Sequence, residues 1–177
     1  YENNDEETWH WFESRMTYCN SVLPWAMLSA YEVLQEKRYL EIGLESLDFL
    51  SQTTFRQNHF HPIGCNGWLK KGEMAAPFDQ QPVEACEMLL VCLKAFELSK
   101  DEKYIRWAKR CLGWYTGENS AQISLIDPDT GGCMDGITPI GPNCNEGAES
   151  LVSWLIARLA WEKAIPDFKR RGDQIEL

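Results

Sequence analysis

A repeat with a period of 65 residues is the feature that most restricts the fold of this chain. Residues 28–50 and 93–115 align at that offset with five identities in 23 positions, and four further pairs conserve aromatic or aliphatic character. Ala30, Ala95 and Ala160 continue the same register over three copies. A fixed period of this length predicts an array of structural units, each packed on its neighbours.

Each copy of the repeat has the pattern of a helical hairpin. The first helix is apolar on nearly all sides, which predicts that it is buried over most of its surface. The second helix has one apolar stripe; in the second copy, Tyr104, Trp107 and Cys111 share a face. The predicted inner helices cover about residues 20–35, 82–99 and 147–164. The sequence therefore predicts one all-α domain over residues 1–177, a curved array of α/α hairpins.

The segments outside these helices carry further predictions. Residues 6–17 are predicted to form the outer helix of a preceding, incomplete hairpin. The connections 57–81 and 118–145 are long and rich in Gly, Pro, Asn and Asp. Loops of this length are usually functional, and both precede an inner helix, so we expect them on the same face of the array. Residues 59–72 predict a small β-hairpin with its turn near Gly64 to Gly67.

Composition excludes several function classes. Lys plus Arg is 17 and Asp plus Glu is 27, so the formal net charge is −10, and a nucleic-acid partner is not expected. No apolar run reaches membrane-spanning length and no signal peptide is visible. Seven cysteines are present without a CxxC motif, several of them in apolar helical patterns. Free thiols of this kind favour a reducing compartment and a cytoplasmic location.

Three stretches of the chain carry a resemblance to a known superfamily. WHWFESRMTYCNSVLPWAML, APFDQQPVEA and DPDTGGCMDGITPIGPNCNEGAESLVSWL resemble the α/α toroids of six-hairpin glycosidases and N-acylglucosamine 2-epimerase-like proteins. They most resemble the C-terminal helical domain found in, or beside, bacterial glycosyltransferases. The resemblance covers nearly the whole chain and implies about half of an (α/α)6 toroid. One departure is Tyr18-Cys19-Asn20, where the family tends to have Tyr-Asp-Asn.

A complete ring of this type needs six hairpins, and the chain holds about three. We expect a fragment of a longer protein whose missing half completes the toroid. The alternative is a half-ring completed by self-association, because the terminal hairpins of an isolated half-ring would expose apolar faces.

The resemblance implies a catalytic space at the entrances of the inner helices, because their first turns converge on a central funnel in a toroid. Cys19, Glu84 and Glu149 lie 65 residues apart, each in the first turn of a predicted inner helix. Glu84 and Glu149 are therefore predicted to face a shared space. Two carboxyl groups across a cleft are what glycosidic bond cleavage requires. Asp135, at the predicted rim, is the third catalytic candidate.

Polar and aromatic side chains near the same entrances are candidates for contacts with a saccharide. Amide groups can pair with sugar hydroxyls as donor and acceptor, and a Trp ring can stack on a sugar face. The substrate-binding candidates are Asn20, His61, Trp68, Asp79, Gln80, Gln81, Asn145 and Glu146.

Helix capping is the competing interpretation of the acidic candidates. Pro82 and Glu84 stand at the first and third positions of a predicted helix, which is a common N-terminal signal. Asn145 is the predicted N-cap of the third inner helix, with Glu146 in its first turn. Asp79 is interpreted more readily as a cap or loop anchor than as a catalyst. Asp135 fits a local Asx-turn and Trp68 fits core packing equally well, and these alternatives stay open.

No metal or cofactor is expected from the sequence. His59, His61 and Cys65 have the spacing His-x-His-x3-Cys, but a fourth ligand is not evident. Residues 127–129 have the pattern of a turn and lack the full ligand spacing of a calcium loop. Cys19 at a helix N-terminus would have a lowered pKa and could act as a nucleophile, although no histidine partner can be placed beside it.

Three functions are compatible with these features. The first is a carbohydrate-active domain that binds a saccharide in the funnel and performs acid–base chemistry. The second is a non-catalytic glycan-binding or structural module of a bacterial glycosyltransferase system, and the third is a helical scaffold for protein partners. Polar residues at the helix entrances, with long loops on the same side, favour a small-ligand funnel over an open scaffold. Catalysis and binding both stay open because fold does not determine function.

Overall fold

The computed structural model describes residues 1–56 and 58–170, with side chains described as far as residue 166. The helices are α1 Val22–Leu34, α2 Lys37–Thr54, α3 Pro82–Ser99, α4 Lys103–Tyr115 and α5 Ala148–Arg170. α1 and α2 form one hairpin, α3 and α4 form another, and α3 packs between α1 and α5. The predicted fold class, an array of α/α hairpins, is confirmed.

None of the helices in the described part of the chain combines the length and apolarity that crossing a membrane requires.

The two inner helices that lead into outer helices end in the same way. The C-cap residues Gln35 of α1 and Lys100 of α3 adopt the left-handed conformation, with φ of 58° and 62°. Each cap N–H donates to the carbonyl four residues earlier, which satisfies a group that the helix end would leave unpaired. The two caps lie 100 − 35 = 65 residues apart. The chain therefore turns from inner to outer helix at equivalent places in both hairpins.

Burial differs between the three inner helices. α3 forms the centre of the core, with Met88, Leu89 and Cys92 fully buried. α1 and α5 expose apolar side chains, among them Val33, which is 79% exposed, and Leu159, which is 63% exposed. The expectation that every inner helix is buried on most sides holds for α3 and is wrong for the other two. The reason is their position, since each packs on α3 along one side only.

The remaining elements of the described chain are short strands. They are β1 Arg15–Met16, β2 Phe55–Arg56, β3 His59–Phe60, β4 Leu69–Lys70, β5 Gly136–Thr138 and β6 Gly141–Asn143. β1 pairs with β4, β2 with β3, and β5 with β6, all antiparallel. The predicted hairpin within residues 59–72 is wrong, because its two strands pair with different partners. β4 joins the N-terminal segment to this loop, and β3 folds back on the end of α2.

The predicted helix over residues 6–17 is also wrong. Glu6 and Trp9 form an isolated antiparallel bridge, and the segment then continues into β1. Trp9 and Trp11 are both buried, at 4% and 0% exposure. Side chains two positions apart reach the same side in an extended segment but not in a helix, so the aromatic spacing fits the extended form.

The two long loops are joined to each other at the entrance of α3. The N–H of Gln80 donates to the carbonyl of Ile137 at 2.9 Å, and the reverse bond measures 3.0 Å. Gln80 immediately precedes the α3 N-cap, and Ile137 lies in β5. The pairing therefore fixes both loops on the side of the array where α3 begins.

Gly64 allows a close approach of main chains within the first loop. Its N–H donates to the carbonyl of Ala76 at 2.8 Å, and a Cβ at this position would lie 1.8 Å from the carbonyl oxygen of Phe78. A side chain at position 64 would therefore push apart the two segments that precede α3.

We expect Gly64→Ala to lower the free energy of unfolding by about 3 kcal/mol or more, because main-chain atoms must move to admit the methyl group. Gly72→Ala is the matched control in the same loop, since a Cβ there meets no atom within 4 Å. The φ of Gly72 is +82°, so this control should cost only about 1–2 kcal/mol of backbone strain. Urea unfolding midpoints measure both variants. Equal losses would contradict the proposed close approach at Gly64.

Candidate functional site

The first turns of α3 place two glutamates on one side of the helix. Glu84 and Glu87 are three residues apart, which puts them on the same helix face. Glu84 is 6% exposed, and Glu87 is half-buried. The Oε2 atom of Glu87 is buried and has no hydrogen-bond partner. A buried carboxylate oxygen without a partner is costly, so it marks an unsatisfied polar group at the start of α3.

Glu84 holds the entrance of α1, which lies 65 residues earlier in the chain. Its Oε1 accepts the main-chain N–H of Cys19 at 2.7 Å. Asn20 lies close enough to this carboxylate to lower its pKa. The Asn20 side chain in addition bonds both main-chain groups of Thr17, at 2.9 and 2.8 Å. Glu84 therefore caps a neighbouring helix entrance, and Asn20 is buried as part of that turn rather than open to a ligand.

Glu84 has a proton affinity that suits exchange near neutral pH. Burial is the main cause that raises its pKa to about 7, and the charge of Glu87 raises it further. Hydrogen bonds from Cys19 and Asn20 favour the ionised form and partly offset the rise. Perturbed carboxyl groups of this kind concentrate at functional sites, although structural networks produce them as well.

Glu149 and Tyr18 come from the entrances of α5 and α1 and lie near Glu87 and Cys19. Glu149 is exposed in the first turn of α5. Burial and the charges of Cys19 and Glu149 raise the pKa of the Tyr18 hydroxyl. Burial and the charge of Glu149 both raise the pKa of Glu87. Glu149 and Glu87 are therefore close enough to interact. We call Tyr18, Cys19, Glu84, Glu87 and Glu149 the entrance cluster.

Cys19 does not have the lowered pKa that its place at a helix entrance suggests. Burial, and then the hydrogen bond and charge of Glu87, raise the pKa of the thiol to about 12. The charge of Glu84 acts in the same direction. The neighbouring carboxylates thus outweigh the helix N-terminus, and the thiol does not have the lowered pKa that a nucleophile at this place would need.

Asp135 anchors the entrance of α5. Its Oδ1 accepts the N–H of Gly147 at 2.8 Å and the hydroxyl of Ser150 at 2.6 Å, while its Oδ2 accepts the side-chain amide of Asn145. Burial alone would raise the pKa of Asp135, but these hydrogen bonds outweigh it and lower the pKa. Both oxygens are therefore engaged by donors of the α5 entrance, so Asp135 anchors this entrance, and a catalytic role for it stays a prediction.

The start of α5 differs from the predicted one. The helix begins at Ala148, so Asn145 is not its N-cap and Glu146 is not in its first turn. Asn145 binds Asp135 instead, and the Glu146 carboxylate accepts the Thr130 hydroxyl at 2.9 Å. Both side chains hold the loop that leads to α5.

Gln80 and His61 are buried in the core under the first loop. The Nε2 of Gln80 donates to Ser120 Oγ at 2.9 Å and to a carbonyl, and its Oε1 accepts the indole N–H of Trp114 at 3.0 Å. Gln80 is 1% exposed, so its amide is not available to a sugar. His61 is buried beside it, and burial followed by the charge of Arg56 lowers its pKa to about 4. The imidazole is therefore neutral, and neither residue lies in the entrance cluster.

Three further candidates surround the start of α3. Gln81 is the N-cap residue and makes no side-chain capping bond. Asp79 is half-buried, and after burial its charge is the next cause that raises the pKa of Cys65; the charge of Glu84 also contributes. Asp79 and Glu84 thus both act on Cys65. Trp68 is half-buried in the loop with φ of 62°. Contacts of these side chains with a saccharide stay predictions.

One group of potential metal ligands occurs in the described part of the chain. Asp5, His10 and Glu45 offer ligand atoms within 4.8 Å of one another, where the N-terminal segment meets α2. His10 Nδ1 lies 2.8 Å from Asp5 Oδ1, an arrangement that an ion pair explains. His59, His61 and Cys65 are not gathered in this way.

Glu87 and Tyr18 are the members of the entrance cluster that sequence reasoning did not assign to the site. The 65-residue register marks one position in each inner helix, which is Glu84 in α3. It does not mark the residue one turn later, Glu87. The spacing of three between Glu84 and Glu87 was the available signal, since it places both carboxylates on one face.

The burial of Glu84 predicts a specific dependence of stability on pH. Its pKa is about 7 in the folded state against an ordinary value of 4.5, so the folded protein binds the proton more tightly. The stabilising contribution of the protonated carboxyl is complete below pH 4.5 and is lost as the pH rises through about 7, by up to about 3 kcal/mol.

Glu84→Gln should remove this fall between pH 4.5 and 7.5, because the amide keeps an acceptor for the Cys19 N–H and does not ionise. Chemical denaturation across the range measures it. Glu41→Gln, an exposed position on α2, should keep the wild-type profile. A Glu84→Gln profile parallel to that of the wild type would show that Glu84 does not carry the effect.

Comparisons with known proteins find solved structures with a similar fold. The sequence matches no protein-family model and no curated protein. A family 76 glycoside hydrolase (mannosidase) from Bacteroides thetaiotaomicron VPI-5482 matches 87% of this chain and 40% of its own, with TM-score 0.60 and 16% identity. A family 76 glycoside hydrolase from a bovine Bacteroides thetaiotaomicron strain matches 85% and 31%, with TM-score 0.61 and 18% identity.

A D-mannose isomerase structure matches 83% of this chain and 41% of its own, with TM-score 0.53 and 19% identity. This chain thus spans about a third to two fifths of the length of each of these three structures. Identities this low are informative about the fold alone. The chain therefore shares the α/α-hairpin fold of these structures over the part that matches.

Proposed function

We propose that this chain is part of a carbohydrate-active domain that binds a mannose-type saccharide at the entrance cluster. The observation that carries the proposal is Glu87, whose buried Oε2 lacks a partner while its carboxylate interacts with Glu149 across the helix entrances. The sugar class comes from the structural relatives, which are two glycoside hydrolases of family 76, one of them a mannosidase, and a D-mannose isomerase.

Glu87 and Glu149 are the carboxyl groups proposed to react. Their environments differ, because Glu87 is half-buried with a raised pKa and Glu149 is exposed at the start of α5. Different environments allow two carboxyl groups to divide acid and base roles. We assign Glu87 as the acid, since burial favours its protonated form, and Glu149 as the base or nucleophile.

Glu84 has a different role in this proposal from the catalytic one that the sequence suggests. Its carboxylate is occupied by Cys19 and Asn20 and is nearly inaccessible. The charge of Glu87 raises the pKa of Glu84, so the two acids are coupled while Glu84 holds the α1 entrance. Glu84 is therefore a positioning residue, and Tyr18, which is 42% exposed, is the aromatic side chain best placed to touch the sugar.

A non-catalytic role is the alternative, as a glycan-binding or structural module of a bacterial glycosyltransferase system. The observation that favours it is that two of the acidic candidates hold helix entrances: Glu84 holds the α1 entrance and Asp135 holds the α5 entrance.

In either case all seven cysteines are free thiols, which supports the proposed cytoplasmic location.

The test compares Glu87→Gln and Glu149→Gln with the wild type in the full protein. Titration calorimetry measures binding of D-mannose, methyl α-mannoside and a mannobiose, and chromatography measures hydrolysis or isomerisation. We expect each variant to lose about 100-fold or more in turnover, because proton transfer contributes that much, with binding little changed. Glu102→Gln, at the N-cap of α4 on the opposite end of the array, should behave as wild type.

The possible outcomes separate the two functions. Unchanged turnover in Glu87→Gln and Glu149→Gln would contradict the assigned chemistry. Saccharide binding by the wild type without turnover would support the recognition module instead. Neither binding nor turnover over a broad saccharide panel would indicate that the acids only hold helix entrances.

A further inference from the structure

We propose that Asp5, His10 and Glu45 form a binding site for a Zn²⁺-type divalent cation, which joins the N-terminal segment to α2. The three side chains offer one nitrogen and two oxygen ligand atoms, all within 4.8 Å of one another. The site shares no residue with the entrance cluster. The inference is therefore independent of the proposed function.

Two carboxylates converge on a single imidazole nitrogen in this group. His10 Nδ1 lies 2.8 Å from Asp5 Oδ1 and 3.7 Å from Glu45 Oε1. Because Nδ1 carries at most one proton, an ion pair satisfies the nearer carboxylate and leaves the charge of Glu45 without a cation. The Tyr1 hydroxyl donates to Glu45 Oε2 at 2.6 Å, but it is a neutral donor. A divalent cation would balance both carboxylates at once.

Basic side chains near the N-terminal segment do not supply that balance. Arg38 of α2 pairs with Glu2, and Lys71 pairs with Glu6. In the part of the chain that the structure describes, the ion pairs of Asp5 and Glu45 are those with His10. The three side chains thus form a negatively charged group, even with the imidazole protonated.

The ligand types and their spacing fit a borderline metal ion. Imidazole nitrogen and carboxylate oxygen both bind Zn²⁺, with bonds of about 2.0–2.2 Å. In a tetrahedral site, bonds of that length place neighbouring ligand atoms about 3.4 Å apart. The distances of 2.8 and 3.7 Å from His10 Nδ1 lie on either side of this value. Three protein ligands leave the fourth position to water, and Mg²⁺ is disfavoured because it prefers oxygen ligands.

Contacts around the ligand atoms orient the side chains. The hydrogen bond from Tyr1 engages Glu45 Oε2, while Oε1 is the oxygen nearer to His10. The His10 ring packs edge-on against Phe49, one turn after Glu45 on α2, with ring centres 5.9 Å apart. Partners of this kind hold metal ligands in place before an ion binds.

The fold of the N-terminal segment brings Asp5 and His10 together. The N–H of Asp5 donates to the carbonyl of Tyr1 at 3.1 Å. Glu6 and Trp9, which lie between the two ligands in sequence, form an antiparallel bridge that closes the turn. The two ligands therefore stand at the ends of a closed turn that faces α2.

The site is open to an ion from solvent. The exposed fractions of the side chains are 35% for Asp5, 34% for His10 and 49% for Glu45. Binding therefore requires no opening of the core. Its effect would be to fasten a segment without helices to the outer helix of the first hairpin.

The first test titrates Zn²⁺ into the tag-free, metal-stripped full protein by calorimetry. Asp5→Asn and Glu45→Gln keep the shape of each side chain and should each weaken binding about tenfold or more. Glu41→Gln, an exposed position one turn before Glu45 on α2, is the matched control and should bind as the wild type does. Mg²⁺ should not compete. Equal Zn²⁺ affinity in all four proteins, or no binding up to about 1 mM, would overturn the proposal.

The second test locates the ion, because the exposed thiol of Cys144 could also bind Zn²⁺. Hydrogen exchange is measured by mass spectrometry with and without the metal. At a free Zn²⁺ concentration about ten times the Kd, mass action should slow exchange in residues 1–12 about tenfold. This protection should occur in the wild type and Glu41→Gln and be absent in Glu45→Gln. Protection near Cys144 without any in residues 1–12 would overturn the site.

Discussion

The buried carboxylate of Glu84 is the interaction on which the arrangement of the site depends. It joins the start of α3 to the entrance of α1 through the N–H of Cys19. Without this bond, the Cys19 N–H would be an unpaired donor in the part-buried turn before α1. The same bond fixes the turn that carries Tyr18 and Cys19, so it determines which side chains meet Glu87 and Glu149.

The α5 entrance is held by a carboxylate as well, with the opposite electrostatic result. Asp135 accepts bonds from Gly147 and Ser150, and its pKa is lowered because these bonds outweigh the effect of burial. Glu84 is buried more deeply, and there burial outweighs the bonds and raises the pKa. Equivalent structural tasks thus leave one acid with a lowered pKa and the other with a pKa of about 7. Burial of the carboxylate decides between the two cases.

The sequence predicts the helices of this fold better than it predicts the loops that complete the site. Apolar periodicity and the Pro82 signal specify helices because these effects are local, and α3 begins at the predicted residue. The partners of β4 and the environment of Glu87 depend on contacts between segments far apart in sequence. Asp135 shows the limit most clearly, since its side chain fits an Asx-turn or a catalyst until Gly147 and Ser150 are placed beside it.

A purely structural account of Glu84 leaves its chemical type unexplained. A glutamine at this position could accept the Cys19 N–H through its amide oxygen and would avoid the cost of burying a charge. The carboxyl group makes the folded protein less stable as the pH rises toward neutrality, because its pKa is raised to about 7. Proteins depart from locally favourable choices mainly at functional sites. An ionisable group retained beside Glu87, whose charge raises the pKa of Glu84, therefore supports the proposed proton chemistry at the helix entrances over capping alone.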